Sequence, residues 1–155
     1  MGLRLAHEPD AEALVALINA AFRKGEGHII EGDRIDLDSV RSLFEKGEFL
    51  VAEDHGTVVG CVYLERRGER NYLGLLSVSP ERQKTGIGSM LMGEAERRCA
   101  RASSRAIDLK TIDLRIDNRE FYKRRGYVET GTEPFPADVT TKLPCCFVTM
   151  SKSIV

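Results

Sequence analysis

The chain has 155 residues, of which 42% are hydrophobic and 30% charged, and its formal net charge is −1. This length suits one domain with a full hydrophobic core, so we predict a single domain over residues 1–155. The composition excludes a disordered chain, and no apolar run approaches the roughly 20 residues of a transmembrane helix. The near-neutral charge gives no reason to expect nucleic acid as a partner.

The N-terminus, the cysteines and the histidines give further expectations about location, disulfides and metal binding. The N-terminal residues lack the apolar segment of a signal peptide, so we expect a cytoplasmic location with no membrane partner. Cys61, Cys99, Cys145 and Cys146 have no Cys-x-x-Cys spacing and are predicted to be reduced. Three histidines without a paired ligand motif predict no metal site.

Apolar periodicity predicts an alternation of helices and strands in the first half of the chain. The predicted elements are, in order, a strand over residues 3–6, an amphipathic helix around 14–22, a glycine-containing loop over 23–34, a second helix over 37–44, and strands over 49–52, 58–64 and 72–78. His55-Gly56 lies between the second and third strands, which indicates a hairpin turn.

The second half continues with a long helical pattern after Pro80, apolar on one face from Ile87 to Cys99. An apolar strand over residues 107–116 follows. Asp117 and Glu120 have the spacing of a capping box, which predicts a short helix ending at Gly126. Closing strands are predicted over residues 127–130 and 146–150, separated by a loop with three prolines.

The segment between the strand predicted over residues 72–78 and the long helix contains the strongest chemical motif. It reads Gln83-Lys84-Thr85-Gly86-Ile87-Gly88-Ser89. Free backbone N–H groups and the positive end of the helix dipole make such a helix start a natural phosphate site. A glycine turn that merely begins an ordinary helix is the simpler alternative for one Gly-x-Gly. The spacing matches neither a Walker A loop nor a dinucleotide-binding fingerprint.

Two separated motifs give the chain its resemblance to the GNAT family of N-acetyltransferases. Gln83, Gly86 and Gly88 match the family pattern Arg/Gln-x-x-Gly-x-Gly/Ala, and residues 121–127, Phe-Tyr-Lys-Arg-Arg-Gly-Tyr, resemble its second hallmark, Phe-Tyr-x-Lys-x-Gly-Phe. The resemblance covers nearly the whole chain. It implies an α/β (α+β) fold with a mixed, mostly antiparallel sheet of about seven strands, flanked by about four helices.

The resemblance also implies a function, transfer of an acetyl group from acetyl-coenzyme A (acetyl-CoA). It assigns the coenzyme A pyrophosphate to the backbone of residues 83–89 and the pantetheine arm to Leu76, Ser77 and Val78. The N–H of Leu76 would polarise the thioester carbonyl, and Tyr122 would protonate the departing thiolate.

Basic residues of the second motif have less specific assignments. Arg124 either meets a phosphate of coenzyme A or is solvated, while Lys123 and Arg125 are assigned to solvent.

The sequence departs from the family pattern at two positions. Arg115 stands where the family commonly has an asparagine, and it would meet the cofactor or an anionic substrate, or simply end a strand. Tyr72 stands where some members carry a glutamate base. The base is therefore left open among Glu31, Asp33, Glu65 and a water chain.

Residues 23–44 and 132–144 correspond to the segments that set substrate specificity in the family. The expected acceptor is a primary amine of a small molecule, amino acid, peptide or protein, attacked directly in a ternary complex. Arg34 together with Arg115 would suit a substrate carboxylate. A coenzyme A-binding sensor without turnover and a transferase of another acyl group are the alternatives. Family members often form homodimers, and the sequence leaves the oligomeric state open.

Overall fold

The computed structural model describes all residues from Met1 to Val155. Its strands are β1 (Gly2–Leu5), β2 (Glu48–Asp54), β3 (Thr57–Arg67), β4 (Arg70–Val78), β5 (Ala106–Ile112), β6 (Val128–Glu133) and β7 (Phe147–Ser153). Its helices are α1 (Ala11–Glu26), α2 (Leu37–Lys46), α3 (Ile87–Arg101) and α4 (Ile116–Arg124).

The seven strands form one sheet in the order β1-β2-β3-β4-β5-β7-β6. Every neighbouring pair is antiparallel except β4 and β5, which run parallel. A parallel pair needs a crossover, and α3 supplies it. The predicted fold class, a mixed and mostly antiparallel sheet with four helices, is confirmed.

Two apolar clusters cover the two faces of the sheet. On one face, α1 and α2 place Leu14, Ile18 and Val40 against Phe49 and Val51. These side chains are fully buried, and each contributes roughly 1.5–3 kcal/mol by burial. The opposite cluster joins α3 and α4 to the sheet through the residues Ile87, Leu91, Met92, Ala95, Tyr122, Ile107 and Leu109.

The hairpin between β2 and β3 forms at the predicted position. His55 and Gly56 have φ angles of 50° and 79°. A two-residue turn with positive φ at both positions matches the right-handed twist of antiparallel strands. The prediction from His55-Gly56 is confirmed.

Two predicted boundaries and the predicted capping box were wrong. Residues 23–26, predicted as loop, form the last turn of α1, and this turn includes Gly25. The strand predicted over 107–116 ends at Ile112, and α4 begins at Ile116, where the side chain is 57% exposed. The predicted capping box is absent, because the Asp117 carboxylate accepts hydrogen bonds from the Arg115 side chain. The strand was predicted too long because Leu114 and Ile116, which lie beyond its end, continue the apolar pattern.

The closing strands lie close to their predicted positions, shifted toward the C-terminus. β6 spans Val128–Glu133 and β7 spans Phe147–Ser153. None of the four helices combines the length and the apolar character that crossing a bilayer demands.

Candidate active site

The central feature of the sheet is a gap that opens between β4 and β5. The two strands pair only over Arg70–Tyr72 and Ala106–Asp108, and they separate beyond that point. On the other side of β4, a bulge places Leu75 and Leu76 opposite a single residue of β3. The second half of β4 is therefore bent and has an unpaired edge along the gap.

The bulge is held in place by hydrogen bonds to one carbonyl oxygen. Leu75 has a φ of 55°, a left-handed conformation that costs a residue with a Cβ roughly 1–2 kcal/mol. Its carbonyl oxygen accepts from Ser77 Oγ at 3.0 Å and from Cys61 Sγ at 3.6 Å. Backbone strain that is stabilised in this way is concentrated at functional sites.

The turn between β4 and α3 leaves its backbone donors free. Gly86, with a φ of 91°, is the N-cap of α3, and no side chain caps the helix. The N–H groups of residues 83–89 have no hydrogen-bond acceptor within the protein. The Thr85 hydroxyl donates to the Arg82 carbonyl oxygen, and Gln83 Nε2 donates to the Val78 carbonyl oxygen. The positive end of α3 is therefore open, and its first turn has no acidic residue.

Tyr122 is the buried residue of α4, with 7% of its surface exposed. Its ring makes edge contacts with Phe121 and Tyr127. The Tyr127 hydroxyl donates to Glu96, whereas the Tyr122 hydroxyl makes no hydrogen bond within the protein. Burial raises the pKa of Tyr122, so its phenol is protonated and can donate a proton at neutral pH.

The end of α4 is fixed by a Schellman motif. Gly126 has a φ of 96°, and its N–H donates to the carbonyl oxygen of Lys123. The Tyr127 N–H donates to the carbonyl oxygen of Tyr122 at 3.1 Å. This arrangement confirms the predicted end of the helix at Gly126 and fixes the backbone next to Tyr122.

The two sequence motifs meet at the gap. A Cβ atom built on Gly88 would lie 3.7 Å from Phe121 Cζ and 3.9 Å from Val78 Cγ2. The first turn of α3 therefore lies next to the end of β4 and next to Phe121, the neighbour of Tyr122 on α4. Of the predicted site residues, Ser77, Ile87 and Tyr122 are buried, Leu76, Val78, Gly88 and Arg115 are half-buried, and Gln83, Lys84, Thr85, Gly86, Ser89 and Arg124 are exposed.

Comparison with known proteins identifies the family. The model of the acetyltransferase (GNAT) domain matches residues 45–129, which is more than half of the chain. The chain belongs to the GNAT acetyltransferase family. It is an acetyl-CoA-dependent N-acetyltransferase, and both motifs of the resemblance lie within the matched segment.

Two relatives have names that describe their acceptors. The chain is 27% identical over 141 residues to the S-(2-succino)cysteine N-acetyltransferase of Bacillus subtilis, covering 84% of this chain and 86% of that protein. It is 30% identical over 117 residues to the amino-acid acetyltransferase of Ralstonia nicotianae, covering 70% of this chain and 24% of that protein. The chain thus matches only about a quarter of the second relative.

Solved structures show the same GNAT fold. An aminoglycoside 6′-N-acetyltransferase in complex with coenzyme A superposes with a TM-score of 0.79 at 20% identity, covering 100% of this chain and 98% of that chain. At this identity the likeness establishes the fold alone.

Arg115, which replaces the usual asparagine of GNAT proteins, points its guanidinium toward α1. Its Nη1 donates to Glu26 Oε2 at 2.8 Å, and its Nε donates to Asp117 at 3.0 Å. The Arg115 side chain is 17% exposed and that of Glu26 is 8% exposed. Burial raises the pKa of Glu26. Glu26 is the buried carboxyl of the site. The sequence analysis did not identify it, because residues 23–34 were predicted to form a loop.

The three acidic residues predicted as candidate bases lie in different surroundings. Glu31 and Asp33 are exposed. Glu65 accepts hydrogen bonds from the Tyr63 hydroxyl at 2.7 Å and from Arg67 Nε at 2.6 Å, and these bonds lower its pKa. A base works best with a pKa near the working pH, so this environment makes Glu65 a weak base.

Tyr72, at the position where some GNAT proteins carry a glutamate, is a half-buried phenol. Arg67 stacks over its ring at 4.2 Å, and a Cβ on Gly74 would lie 2.9 Å from Tyr72 Cε2. Burial raises the pKa of Tyr72, so its hydroxyl is protonated at neutral pH.

A cavity of about 270 Å³ borders Glu26 on the α1 side. The two predicted specificity segments meet here: Lys142 N–H donates to the Ile29 carbonyl oxygen, and Lys142 Nζ donates to the Gly27 carbonyl oxygen. Arg34 lies over the Phe22 ring at 5.4 Å. The lining residues are Asn19, Phe22, Arg23, Glu26, Gly27, Ile30, Gly32, Asp33, Arg34 and Lys142.

One expectation for the second motif was wrong. Arg125 was assigned to solvent, but its guanidinium donates to Glu96 at 2.9 Å and its side chain is 23% exposed. Lys123 lies at the surface beside Glu129, and Arg124 is exposed with no acidic partner. No local pattern identified Glu96 as the partner of Arg125, because Glu96 lies on a different helix.

Proposed function

We propose that this enzyme transfers the acetyl group of acetyl-CoA to the primary amine of a small acceptor that carries a carboxylate. The amine attacks the thioester directly in a ternary complex. The observation that carries the proposal is the meeting of three features at one gap: the uncapped start of α3, the unpaired edge of β4, and the helix α4, which carries the buried Tyr122 and places Phe121 next to Gly88.

The residues around the gap fit coenzyme A. The free N–H groups of residues 83–89 suit a diphosphate, and Gly86 provides the backbone conformation that exposes them. The edge of β4 at Leu76, Ser77 and Val78 suits the amide-rich pantetheine arm, which would bind as an added strand. Exposed Arg124, with no acidic partner, is assigned to a phosphate, and Lys84 adds a charge next to the turn.

The thioester supplies an activated acetyl group when acetyl-CoA is bound. We assign the Leu76 N–H to its carbonyl oxygen, because the bulge at Leu75 turns this part of β4 away from regular pairing. We assign Tyr122 to proton donation, because its hydroxyl is protonated at neutral pH and makes no hydrogen bond within the protein.

Cysteine chemistry at the bulge supports direct attack. Cys61 is fully buried, donates to the Leu75 carbonyl oxygen, and has a pKa raised by burial to about 12. A thiol with such a pKa is a poor nucleophile at neutral pH. Denatured enzyme that has been incubated with labelled acetyl-CoA alone should therefore carry no label, and retained label would contradict direct attack.

The cavity next to Glu26 suits a small anionic amine. Its volume lies below the roughly 300–1,000 Å³ of pockets for drug-sized ligands. Arg34 and Lys142 line it without an acidic partner of their own, whereas Arg23 pairs with Asp33. A carboxylate would complement these two cations. The names of the two relatives, both acetyltransferases of amino acids, support an amino-acid acceptor.

The test measures release of free thiol from acetyl-CoA with matched pairs of acceptors. Each pair consists of an α-amino acid and the same amine without its carboxylate. We expect turnover with amino acids and a loss of about tenfold or more in kcat/KM for the amines. Equal rates within pairs would overturn the carboxylate assignment. Tight binding of acetyl-CoA with no turnover on any amine, peptide or protein would overturn catalysis in favour of the coenzyme A sensor.

A further inference from the structure

Glu26 is the most buried carboxyl group at the site, and its position in the fold is unusual for a charged residue. It ends α1 with 6% of its surface exposed and lines the acceptor cavity. An ionised carboxylate in such a position is unfavourable unless it is paired. Its partner is Arg115, which lies 89 positions away in the sequence.

The pairing depends on a glycine inside α1. A Cβ atom on Gly25 would lie 2.3 Å from Arg115 Nη1 and 2.9 Å from its Cζ. Glycine inside a helix costs about 1 kcal/mol relative to alanine. At this position the missing side chain provides the space through which the guanidinium reaches Glu26. Gly25, Glu26 and Arg115 therefore form one arrangement built from α1 and the turn before α4.

This arrangement joins the acceptor cavity to the helix that carries the proposed proton donor. Glu26 lines the cavity, and its partner Arg115 is the N-cap of α4, the helix of Tyr122. The charge of Arg115 lowers the pKa of Tyr122 and that of Glu26 raises it, and burial has the larger effect.

We propose that Glu26 accepts the proton from the acceptor's ammonium group, and that Arg115 positions the Glu26 carboxylate rather than binding coenzyme A. The inference rests on the proposed acetyl transfer. It also resolves the missing strand glutamate, because the base comes from α1 instead of β4. Glu31 and Asp33 are exposed, and Glu65 is held by Tyr63 and Arg67.

The ammonium nitrogen gives its first proton to Glu26, which passes it to solvent. The neutral nitrogen uses its lone pair to form a bond to the carbonyl carbon, and the carbon–sulfur bond breaks with its electron pair on sulfur. Tyr122 protonates the sulfur, and the second proton lost from nitrogen restores Tyr122. The net products are the amide, the free thiol and one proton.

Several charged groups besides Arg115 face Glu26 and set its titration. Arg34 and Arg115 lower its pKa, whereas Asp117 raises it, and burial outweighs these charges. Lys142 lines the same cavity. A carboxylate whose pKa is raised above its ordinary value is a stronger proton acceptor.

The first experiment compares Glu26→Gln with wild type in thiol release as a function of pH, with an amino acid as acceptor. We expect a loss of about 10²–10⁴-fold in kcat/KM at pH 7. The loss should shrink about tenfold per pH unit as the amine loses its own proton. The matched control is Glu12→Gln, in the exposed first turn of the same helix, which should keep wild-type rates.

The outcomes separate this inference from the proposed function. If wild type turns over and Glu26→Gln stays within twofold of it at pH 7, the inference is overturned and acetyl transfer stands. A loss that is independent of pH also overturns it, because proton removal is then not what Glu26 supplies. Absence of wild-type turnover with every acceptor overturns the proposed function itself.

The second experiment tests the role of Arg115 with Arg115→Gln and Gly25→Ala, the latter displacing the guanidinium without changing its charge. Both should move the acidic limb of the pH–rate profile upward, because Glu26 loses a neighbouring cation. The dissociation constant of coenzyme A, measured by calorimetry, should stay within twofold of wild type. An unchanged pH profile with coenzyme A binding weakened tenfold would overturn the positioning role and return Arg115 to the cofactor.

Discussion

Replacement of Tyr122 by phenylalanine isolates a single proposed chemical step. The substitution removes the hydroxyl and leaves the ring contacts with Phe121 and Tyr127. Because the hydroxyl makes no hydrogen bond within the protein, no other donor or acceptor loses a partner. We therefore expect the free energy of unfolding to change by less than about 0.5 kcal/mol, as for substitutions that create no cavity and no unpaired group.

The rate should respond far more strongly than the stability. Loss of a positioned proton donor typically costs 10²–10⁴-fold, which corresponds to about 2.7–5.4 kcal/mol of transition-state stabilisation. The assay is thiol release at saturating acetyl-CoA and acceptor, so that kcat is measured directly. Burial raises the pKa of Tyr122, so the difference between variant and wild type should be constant across neutral pH.

Tyr127→Phe provides the matched control. It also removes one phenol hydroxyl from the same aromatic cluster, but this hydroxyl donates to Glu96 at 3.1 Å. Losing a hydrogen bond to a charged group should destabilise the protein by about 1.5–3 kcal/mol. Its kcat should remain within twofold of wild type. A wild-type kcat for Tyr122→Phe, or equal losses of rate in the two variants, would rule out proton donation by Tyr122.

Three further predictions concern the turn, the core network and acid stability. Gly86→Val forces a β-branched residue to a φ of 91°, so we expect about 1–2 kcal/mol of destabilisation in urea unfolding together with weaker coenzyme A binding; unchanged stability would contradict the strain. Glu96→Ala leaves the Arg125 guanidinium unpaired and should lower the free energy of unfolding by about 1–3 kcal/mol, whereas no change would show that the pair contributes nothing. Hydrogen bonding to Arg4 lowers the pKa of Asp10 to about 2, below an unfolded value near 3.9. The resulting stabilisation is present above pH ~4 and is lost as the pH falls toward 2, so Asp10→Asn should flatten the stability curve in that window.

The parts of the fold that the sequence predicted share a physical basis. Helices and strands with a clear apolar period, such as α3 and β3, were located because burial of one face is encoded locally. The hairpin at His55-Gly56 and the helix end at Gly126 were located because positive φ angles restrict residue choice. The two sequence motifs were recognisable because each contains a glycine with a positive φ angle, Gly86 in the first and Gly126 in the second.

The remaining features depend on contacts between distant segments. Gly25 and Glu26 carry no local signal, because a glycine near a predicted helix end indicates a loop as readily as space for a guanidinium. Their contacts with Arg115, which lies in the turn after β5, are formed only in the tertiary structure. The boundary between β5 and α4 was misplaced for a similar reason: Leu114 and Ile116 continue an apolar pattern while lying exposed outside the strand. An aromatic or charged residue shows its type in the sequence, but its partners are decided by the tertiary fold.

The location of the coenzyme A site is tested most directly by a titration of the wild-type protein with coenzyme A in ¹H–¹⁵N correlation NMR spectra. These spectra follow the backbone N–H signal of each residue. The largest shifts are predicted for residues 83–89, whose N–H groups are free, together with Leu76 at the bulge. Pantetheine, which lacks the diphosphate, should shift Leu76 and leave the turn unchanged. Shifts concentrated elsewhere, such as in the larger groove of about 680 Å³ beside Arg66 and Arg98, would contradict the assignment of the coenzyme A site.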